Sequence, residues 1–438
     1  MQIDKTTLSD LSIFNTDESL SVFHFLNHTT TIRGKKYLHH ILSSPLTTID
    51  AIRDTQNTIQ QLQLLQPRWK HSITNGTLMV LEKFYETAVN DYPEHANNIN
   101  SFLYKLFSKA DFSLTKYSVT HCITFIKGMK QIQALLQNVS GKKIQYWNEK
   151  IHLLLNKSLV QEILQTENVK ELSNATILQF ALFLQKSFRH NIHELIDIFI
   201  QLDAYISLAT ACTKNNFVFP EIKETPQPFI EVEALYHPLL EAPVSSSFHL
   251  NHQQNFLFLT GANMAGKSTF IKAVGIGTYL AQLGMGVPAK KMNISLFNGL
   301  LSNIQIADNI IKGESYFFNE VQRIKNTIEQ ISDGKNWLIL IDELFKGTNV
   351  QDAMKCSTIV IDGLRKMNNA LFILSTHLYE IADDLQKHNN IQFKYFETAI
   401  KDEQLIFSYQ LKDGISNDRL GYLILKKEGV VNMLDKLQ

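Results

Sequence analysis

Apolar positions recur at helical spacing through the first half of the chain, from about residue 19 to residue 215. The clearest stripe has members at i, i+3, i+4, i+7, i+10 and i+14: Ile192, Leu195, Ile196, Phe199, Leu202 and Ile206. This spacing lays one apolar stripe along a helix. A second helix is predicted to start at Thr47, which has capping-box spacing to Asp50, and to stop at Pro67. The first half is therefore predicted to be a helical stalk.

Short apolar runs replace this pattern after Pro220, Pro226 and Pro228, where prolines interrupt the chain. Runs of strand character occupy residues 229–233, 256–260, 337–341, 370–375, 391–396 and 404–410. Helical segments at 269–283, 317–331 and 352–367 separate several of them. Strands that alternate with helices predict a mostly parallel sheet covered on both faces, with an antiparallel edge where the last two runs follow each other directly. We predict two domains, residues 1–225 and 226–438.

Composition and charge limit the possible partners and the cellular compartment. Lys plus Arg and Asp plus Glu both total 42, so any nucleic-acid contact must be local or shared between subunits. The three cysteines lack CxxC spacing, which argues against a disulfide framework and against a zinc site. The N-terminus has no apolar signal core, and no run approaches the roughly 18 uncharged apolar residues of a membrane span. A cytoplasmic protein without a membrane segment is expected.

A complete GxxxxGK[ST] phosphate loop lies between a predicted strand and a predicted helix. Its residues are Gly261, Ala262, Asn263, Met264, Ala265, Gly266, Lys267, Ser268 and Thr269. The backbone N–H groups of such a loop converge at the positive end of a helix dipole, where they bind phosphate. Lys267 is expected to reach the β and γ phosphates of a nucleotide, and the Ser268 hydroxyl is expected to bind Mg²⁺.

Two acids end another predicted strand, in the run Leu-Ile-Leu-Ile-Asp-Glu at 338–343. Asp342 is expected to hold the Mg²⁺ shell, and Glu343 to orient or deprotonate an attacking water. The alternative for these acids is a solvated turn after a buried strand. His377 ends a third apolar strand at the same predicted edge, where it would suit a γ-phosphate sensor. A structural hydrogen-bonding histidine is the alternative there.

Five motifs occur in an order that resembles the MutS family of DNA mismatch-repair ATPases. They are the loop with Asn263-Met264, the run Gly-Glu-Ser-Tyr-Phe-Phe-Asn-Glu at 313–320, Asp342-Glu343, Gly347-Thr348-Asn349 and Thr376-His377. The segments 26–34 and 201–209 are similar to the opening of the MutS lever domain and to the helix that leads from the levers to the ATPase. Residues 237–241 resemble the approach to the nucleotide site. Nothing specific is recognised between about 70 and 170.

The resemblance implies a fold, a cofactor pair and an assembly. The second half would be an ABC-type ATPase, and a homodimer would hold ATP and Mg²⁺ at its interface. Ser315 matches the signature-loop serine that reaches the γ-phosphate bound by the opposite subunit. Tyr409 falls where the family places an aromatic ring or histidine against adenine, with an ordinary core or surface tyrosine as the alternative. Asn263, Lys267, Glu343 and His377 are the expected catalytic residues.

The sequence also departs from the family pattern. It starts where the lever domain starts, so the mismatch-reading and connector domains are expected to be absent. The spacing from Gly34 to Gly261 predicts that the DNA-embracing clamp is missing or reduced. Ala262 replaces the usual proline and Tyr316 the usual threonine, but these changes remove no phosphate, Mg²⁺ or water ligand. Hydrolysis is therefore expected to survive.

Two functions from different classes follow from these features. The first is a DNA-associated ATPase that moves helical levers on double-stranded or branched DNA without reading mismatches. The second is an ATP-gated scaffold that switches a protein partner. The balanced charge favours the second, whereas the lever segments favour the first. Basic residues such as Arg68, Lys70, Lys142 and Lys143 would face DNA in the first case and form a solvated helix surface in the second. A third hypothesis, a small-molecule kinase, has little support, because such an enzyme would not need the signature loop or Thr376-His377.

Overall fold

The computed structural model describes residues 1–86, 92–93, 96–304, 316–401, 404–416, 430 and 433. The chain divides into two compact units. One unit, here called the helical unit, comprises Leu26–Ile41 and Asp54–Thr213. The other, here called the sheet unit, comprises Met1–Phe25, Leu42–Arg53 and Lys214–Gln438. Two N-terminal segments thus group with the C-terminal part, which the predicted division near residue 225 did not anticipate.

Helices occupy most of the chain up to residue 214. They are α1 Lys5–Asp10, α2 Val22–Leu26, α3 Ile32–Leu42, α4 Ile49–Leu65, α5 Asn75–Glu86, α6 Asn98–Phe107, α7 Lys109–Leu136, α8 Lys142–Leu155, α9 Ser158–Gln165, α10 Asn174–Leu182 and α11 Arg189–Lys214. A π-helical turn at Phe183–Ser187 precedes α11. The helical character predicted for this part is confirmed.

Helix α11 contains the stripe predicted from the apolar spacing, and all six members of that stripe are buried. Among the described helices, α11 alone is long and apolar enough to cross a membrane, yet 78% of its most apolar window lies buried inside the protein. The core helix of a folded domain passes the same test of length and composition. The burial of α11 accounts for its apolar sequence.

The start of α4 differs from the prediction by one residue. The hydroxyl of Thr48, not that of Thr47, accepts the N–H of Ala51 at 3.4 Å. The predicted capping box between Thr47 and Asp50 is therefore wrong, because the helix begins one residue later and Thr48 takes the capping position. The helix ends at Leu65, before the proline that was predicted to stop it.

In the part of the chain that the structure describes, the sheet unit contains two sheets. Its strands are β1 Gln2–Ile3, β2 Glu221–Lys223, β3 Ile230–Leu235, β4 Ser246–Leu250, β5 Phe256–Thr260, β6 Lys291–Ser295, β7 Gly299–Asn303, β8 Trp337–Asp342, β9 Ala370–Ser375, β10 Ile391–Lys401 and β11 Gln404–Asp413. Within the described residues, seven strands form the larger sheet in the order β1-β7-β8-β9-β5-β10-β11. Every neighbouring pair is parallel except β10 and β11, which confirms the predicted mixed, mostly parallel sheet.

The smaller sheet has the strand order β2-β6-β3-β4 in the described part of the chain. It contains the predicted strand near residue 230, which therefore lies outside the larger sheet. The strands β1, β2, β4, β6 and β7 were not predicted. Further helices described in the unit are α12 Lys267–Gln282, α13 Tyr316–Ile331, α14 Val350–Leu364 and α15 Ala382–Leu385.

The buried centre of the larger sheet determines where polar residues can gather. Strands β5, β8 and β9 are buried along their whole length, because both faces of the sheet are covered. Phe256 of β5 stacks on Phe372 of β9, with ring centroids 5.6 Å apart. Polar side chains in these strands appear only at the carboxyl ends, where Asp342 pairs in register with Ser375. The residues that follow these three strand ends lie at one edge of the sheet.

Candidate functional site

Residues 261–266 connect β5 directly to α12, which begins at Lys267. Gly261 and Gly266 have φ angles of 137° and 109°, in the region that glycine adopts without steric cost. A Cβ atom on Gly261 would also lie 3.3 Å from the carbonyl oxygen of Phe396. The loop therefore requires glycine at both positions, for backbone conformation and, at Gly261, for a close approach to β10.

The side chain of Lys267 lies within the curve of this loop and is only 5% exposed. Its ammonium donates hydrogen bonds to the carbonyl oxygens of Gly261 at 2.7 Å and Ala262 at 3.0 Å. Burial lowers the pKa of Lys267, and the negative charges of Glu343 and Asp342 partly offset this shift. Lys267 is thus within electrostatic reach of Asp342, which ends β8, and of Glu343, which follows it.

Asp342 and Glu343 have different partners. The Ser375 hydroxyl of the neighbouring strand donates a hydrogen bond to the carboxylate of Asp342, which is 8% exposed. Glu343 begins the next loop with a φ of 67°, and its N–H donates to the carbonyl oxygen of Ser375 at 2.9 Å. The strand β9 therefore holds Asp342 by its side chain and Glu343 by its backbone.

The carboxylate of Glu343 lies between two potentially cationic groups. Its Oε1 is 2.7 Å from His377 Nε2, and its Oε2 is 3.4 Å from Lys346 Nζ. Burial by itself would raise the pKa of Glu343, but the hydrogen bond from His377 and the charges of His377, Lys346 and Lys267 outweigh burial and lower this pKa. Glu343 is therefore held as a carboxylate that can accept a proton or a hydrogen bond. The predicted proximity of His377 to the acids is present in the structure.

A cavity of about 490 Å³ opens beside the loop, within the size range of ligand pockets. The residues of the predicted site that line the cavity are Ala262, Asn263, Met264, Gly266, Lys267, Ser268, Thr269, Glu343 and Tyr409. Gly261, Ala265, Asp342 and His377 do not line it. Ser315, the predicted signature-loop serine, lies outside the described residues.

Tyr409 was predicted to approach the base of a nucleotide, and the structure places it on the wall of this cavity. Its ring lies over the loop, since a Cβ atom on Gly266 would be 3.4 Å from Tyr409 Cδ1. The ring also stacks on Phe407, with centroids 6.1 Å apart. Tyr409 is 43% exposed, so its outer edge is accessible to a ligand.

Several wall residues were not predicted from sequence. They are Leu235, Tyr236, Phe270, Ala273 and Phe396. They come from separate elements, and no short motif joins them. His237, which lies in a segment that was recognised, also lines the cavity, and burial together with the charge of Lys272 lowers the pKa of His237 to about 4. The imidazole is thus neutral at neutral pH, which suits contact with an uncharged part of a ligand.

The oxygen ligands expected for a metal ion fit a hard cation. Ser268 supplies a hydroxyl and Asp342 a carboxylate, the donor types that Mg²⁺ prefers. Among the described residues, no group of three or more His, Cys, Asp or Glu side chains is arranged to hold a metal ion. An ion at this site would therefore take much of its shell from phosphate oxygens and water, as Mg²⁺ usually does.

The fold and the site define a protein with a helical unit and an α/β unit whose mixed sheet carries a glycine loop, a buried lysine and two acids at one edge. Residues 257–434 match the family model described as MutS domain V. The DNA mismatch repair protein MutS of Staphylococcus haemolyticus is 22% identical over 428 residues, which cover 94% of this chain and 48% of that protein. The chain is thus similar to MutS proteins over most of its length, and its C-terminal part matches the MutS domain V model.

Two further relatives match over a shorter range. The DNA mismatch repair protein MutS of Bacillus licheniformis is 28% identical over 270 residues, covering 59% of this chain and 30% of that protein. MutS protein homolog 4 of Homo sapiens is 27% identical over 266 residues, covering 58% of this chain and 28% of that protein. The chain thus spans half or less of the length of these relatives.

Proposed function

We propose that the cavity beside residues 261–269 binds ATP with Mg²⁺ and that the protein hydrolyses it. The observation that supports this most directly is the meeting of Lys267, Asp342, Glu343 and His377 at one sheet edge. These residues end or follow three different strands, and two observations support their proximity: His377 contacts Glu343, and the charges of both acids act on the pKa of Lys267. A phosphate loop beside an acid pair is the arrangement in which P-loop NTPases transfer a phosphoryl group to water.

Phosphate binding is assigned to the loop and Lys267. In the structure the Lys267 ammonium is hydrogen-bonded to two loop carbonyls, and we infer that phosphate oxygens would replace these weaker, neutral acceptors. Ser268 and Asp342 would hold Mg²⁺. Bound there, the ion would supply positive charge that offsets the negative charge of the phosphate oxygens.

Water activation is assigned to Glu343. Its lowered pKa keeps it ionised at neutral pH, and the short contact to His377 fixes the direction of the carboxylate. A carboxylate in this state can orient a water molecule and accept its proton during attack. His377 would then act through Glu343 as well as on the γ-phosphate, and the exposed Asn263 of the loop is assigned to the phosphate side of the reaction.

A lever function is proposed for the predicted domain of residues 1–225, and an ABC-type dimer for residues 226–438. The lever function is supported by two resemblances: segment 26–34 resembles the opening of the MutS lever domain, and segment 201–209 resembles the helix that leads from the levers to the ATPase. Both segments lie in the helical unit. In this proposal ATP joins two copies, and the resulting movement acts on double-stranded or branched DNA. Action on a protein partner instead of DNA is the competing proposal, favoured by the balance of 42 basic and 42 acidic residues.

One set of measurements separates these proposals. Purified protein is tested for Mg²⁺-dependent ATP hydrolysis, and then for binding to matched, mismatched and branched DNA with and without a non-hydrolysable ATP analogue, over a salt series. DNA action predicts binding that the analogue alters and that weakens steeply with salt. Selectivity for a mismatched duplex is expected to stay below about tenfold. Hydrolysis without any DNA binding at low salt would favour the scaffold, and no hydrolysis at all would refute both.

A further inference from the structure

A buried acid outside the cavity holds the loop that carries Glu343. Glu320, on α13, is 1% exposed. Its Oε1 accepts the backbone N–H of Lys346 at 3.1 Å, and its Oε2 accepts the backbone N–H of Gly347 at 3.3 Å. Glu320 does not line the cavity, so it is placed to act on the loop and not on a ligand.

The loop after β8 needs such support because of its backbone conformation. Glu343 and Phe345 have φ angles of 67° and 60°, which are unfavourable for residues that carry a Cβ atom. A segment held in this conformation persists only where surrounding contacts determine it. Glu320 provides two such contacts immediately after Phe345.

The same contacts determine the position of a cation beside Glu343. The backbone N–H of Lys346 is bound to Glu320, while the ammonium of Lys346 lies 3.4 Å from the Glu343 carboxylate. Glu320 is therefore linked to Glu343 through a single residue, once by backbone and once by side chain. Burial raises the pKa of Glu320, and the N–H groups of Lys346 and Gly347 oppose that shift, as expected where they stabilise its charged form.

We propose that Glu320 is a positioning residue for ATP hydrolysis: it holds the amides of Lys346 and Gly347 so that the loop presents Glu343 to the attacking water. This inference rests on the proposed function. It connects α13 to the water-activating acid through Lys346. Movement of α13 would therefore change the rate of hydrolysis without changing the groups that bind phosphate.

The test is Glu320→Gln, which keeps the volume of the side chain but turns an NH₂ group toward backbone donors. Hydrogen exchange at Lys346 and Gly347 is expected to accelerate. The kcat for ATP is expected to fall about tenfold, with KM and the Kd for ADP unchanged within about twofold, because only transition-state positioning is lost. Glu329→Gln is the matched control, since Glu329 lies on the same helix, is 62% exposed and pairs only loosely with Lys325 at 3.9 Å.

A double-substitution cycle gives a second, independent readout. If Glu320 acts through Glu343, then Glu320→Gln should cost almost nothing further in a Glu343→Gln background. Additive losses would overturn the proposal, as would a wild-type kcat in Glu320→Gln protein. Parallel losses of kcat, ADP affinity and thermal stability would also overturn it, since they indicate a general packing role. If the wild-type protein did not hydrolyse ATP, both the proposed function and this proposal would be refuted. That outcome is seen in the wild-type protein alone, so it is distinct from a failure of the Glu320 proposal.

Discussion

The carboxylate of Asp203 accepts both the backbone N–H and the hydroxyl of Thr31, at 3.0 Å and 2.6 Å, across 172 residues of sequence. Thr30 donates to the other carboxylate oxygen in the same way, at 2.9 Å for each group. Gly34 completes the arrangement, because a Cβ atom there would lie 2.1 Å from Asp203 Oδ2. A buried acid of α11 thus holds the two residues that precede α3, and segments 26–34 and 201–209 meet at this point.

Replacing Asp203 with Asn is expected to destabilise the helical unit by about 1–3 kcal/mol, because an amide NH₂ group would face buried donors. Urea unfolding followed by circular dichroism measures the change. Asp197→Asn is the matched control on the same helix, since Asp197 is 62% exposed and forms only a surface pair with Arg33. Equal stabilities for the two variants would contradict this role of Asp203 in holding Thr30 and Thr31.

Lys267→Ala and Glu343→Gln are expected to separate nucleotide binding from hydrolysis. Loss of the lysine removes charge neutralisation at the phosphates, so both ATP affinity and turnover should fall, with turnover reduced at least about 100-fold. Glu343→Gln should bind ATP normally and hydrolyse it about 100-fold more slowly, because only proton acceptance is lost. Binding of a fluorescent ATP analogue and phosphate release measure the two effects. An equal loss of affinity in both variants would argue against the assigned roles.

The partly buried imidazole of His237 is expected to make the sheet unit less stable in mild acid. Burial and Lys272 lower its pKa to about 4, whereas an unfolded histidine titrates near 6.5. Between these pH values the imidazole binds a proton in the unfolded chain but not in the folded one. The contribution of His237 to the free energy of unfolding is therefore fully present above about pH 6.5 and is lost as pH falls to about 4, by up to about 3 kcal/mol.

His237→Gln should flatten this dependence, because glutamine can still accept the Leu239 N–H, which His237 Nδ1 accepts at 3.4 Å. The measurement is urea unfolding at pH values from 4 to 7.5. His249→Gln serves as the control, since His249 is exposed on β4. A pH dependence that survives in His237→Gln protein would show that another group is responsible.

Mixing two inactive variants tests the predicted dimer. Ser315→Ala protein retains Lys267, and Lys267→Ala protein retains Ser315, so a mixed dimer would rebuild one composite site if the serine acts in trans. Partial recovery of ATP hydrolysis is expected on mixing, measured by phosphate release at a concentration where dimers form. Co-purification through two different tags shows whether mixed dimers are present. No recovery from verified mixed dimers would exclude a trans role for Ser315.

The sequence by itself determined the elements whose signal is local. The phosphate loop between β5 and α12, the apolar strands β8 and β9 with polar residues at their ends, and the buried stripe of α11 were predicted within a few residues. Each of these elements depends on spacing or residue type within one short segment, which can be observed in a single sequence. The same locality explains why the parallel character of the sheet was predictable from alternating strands and helices.

Only the tertiary structure decided which distant groups meet. β1 has two residues, too few for any period, and it joins the sheet by pairing with β7. Glu320 accepts hydrogen bonds from backbone N–H groups, which every residue except proline has, so no residue type in the sequence marks them. The partners of Asp203 lie more than 170 residues away in the sequence. A buried polar side chain is stable only when it has a hydrogen-bond partner. For these residues the partners are distant in the sequence and are brought close only by the packing of the folded chain. The sequence therefore missed these positions or left them without a role.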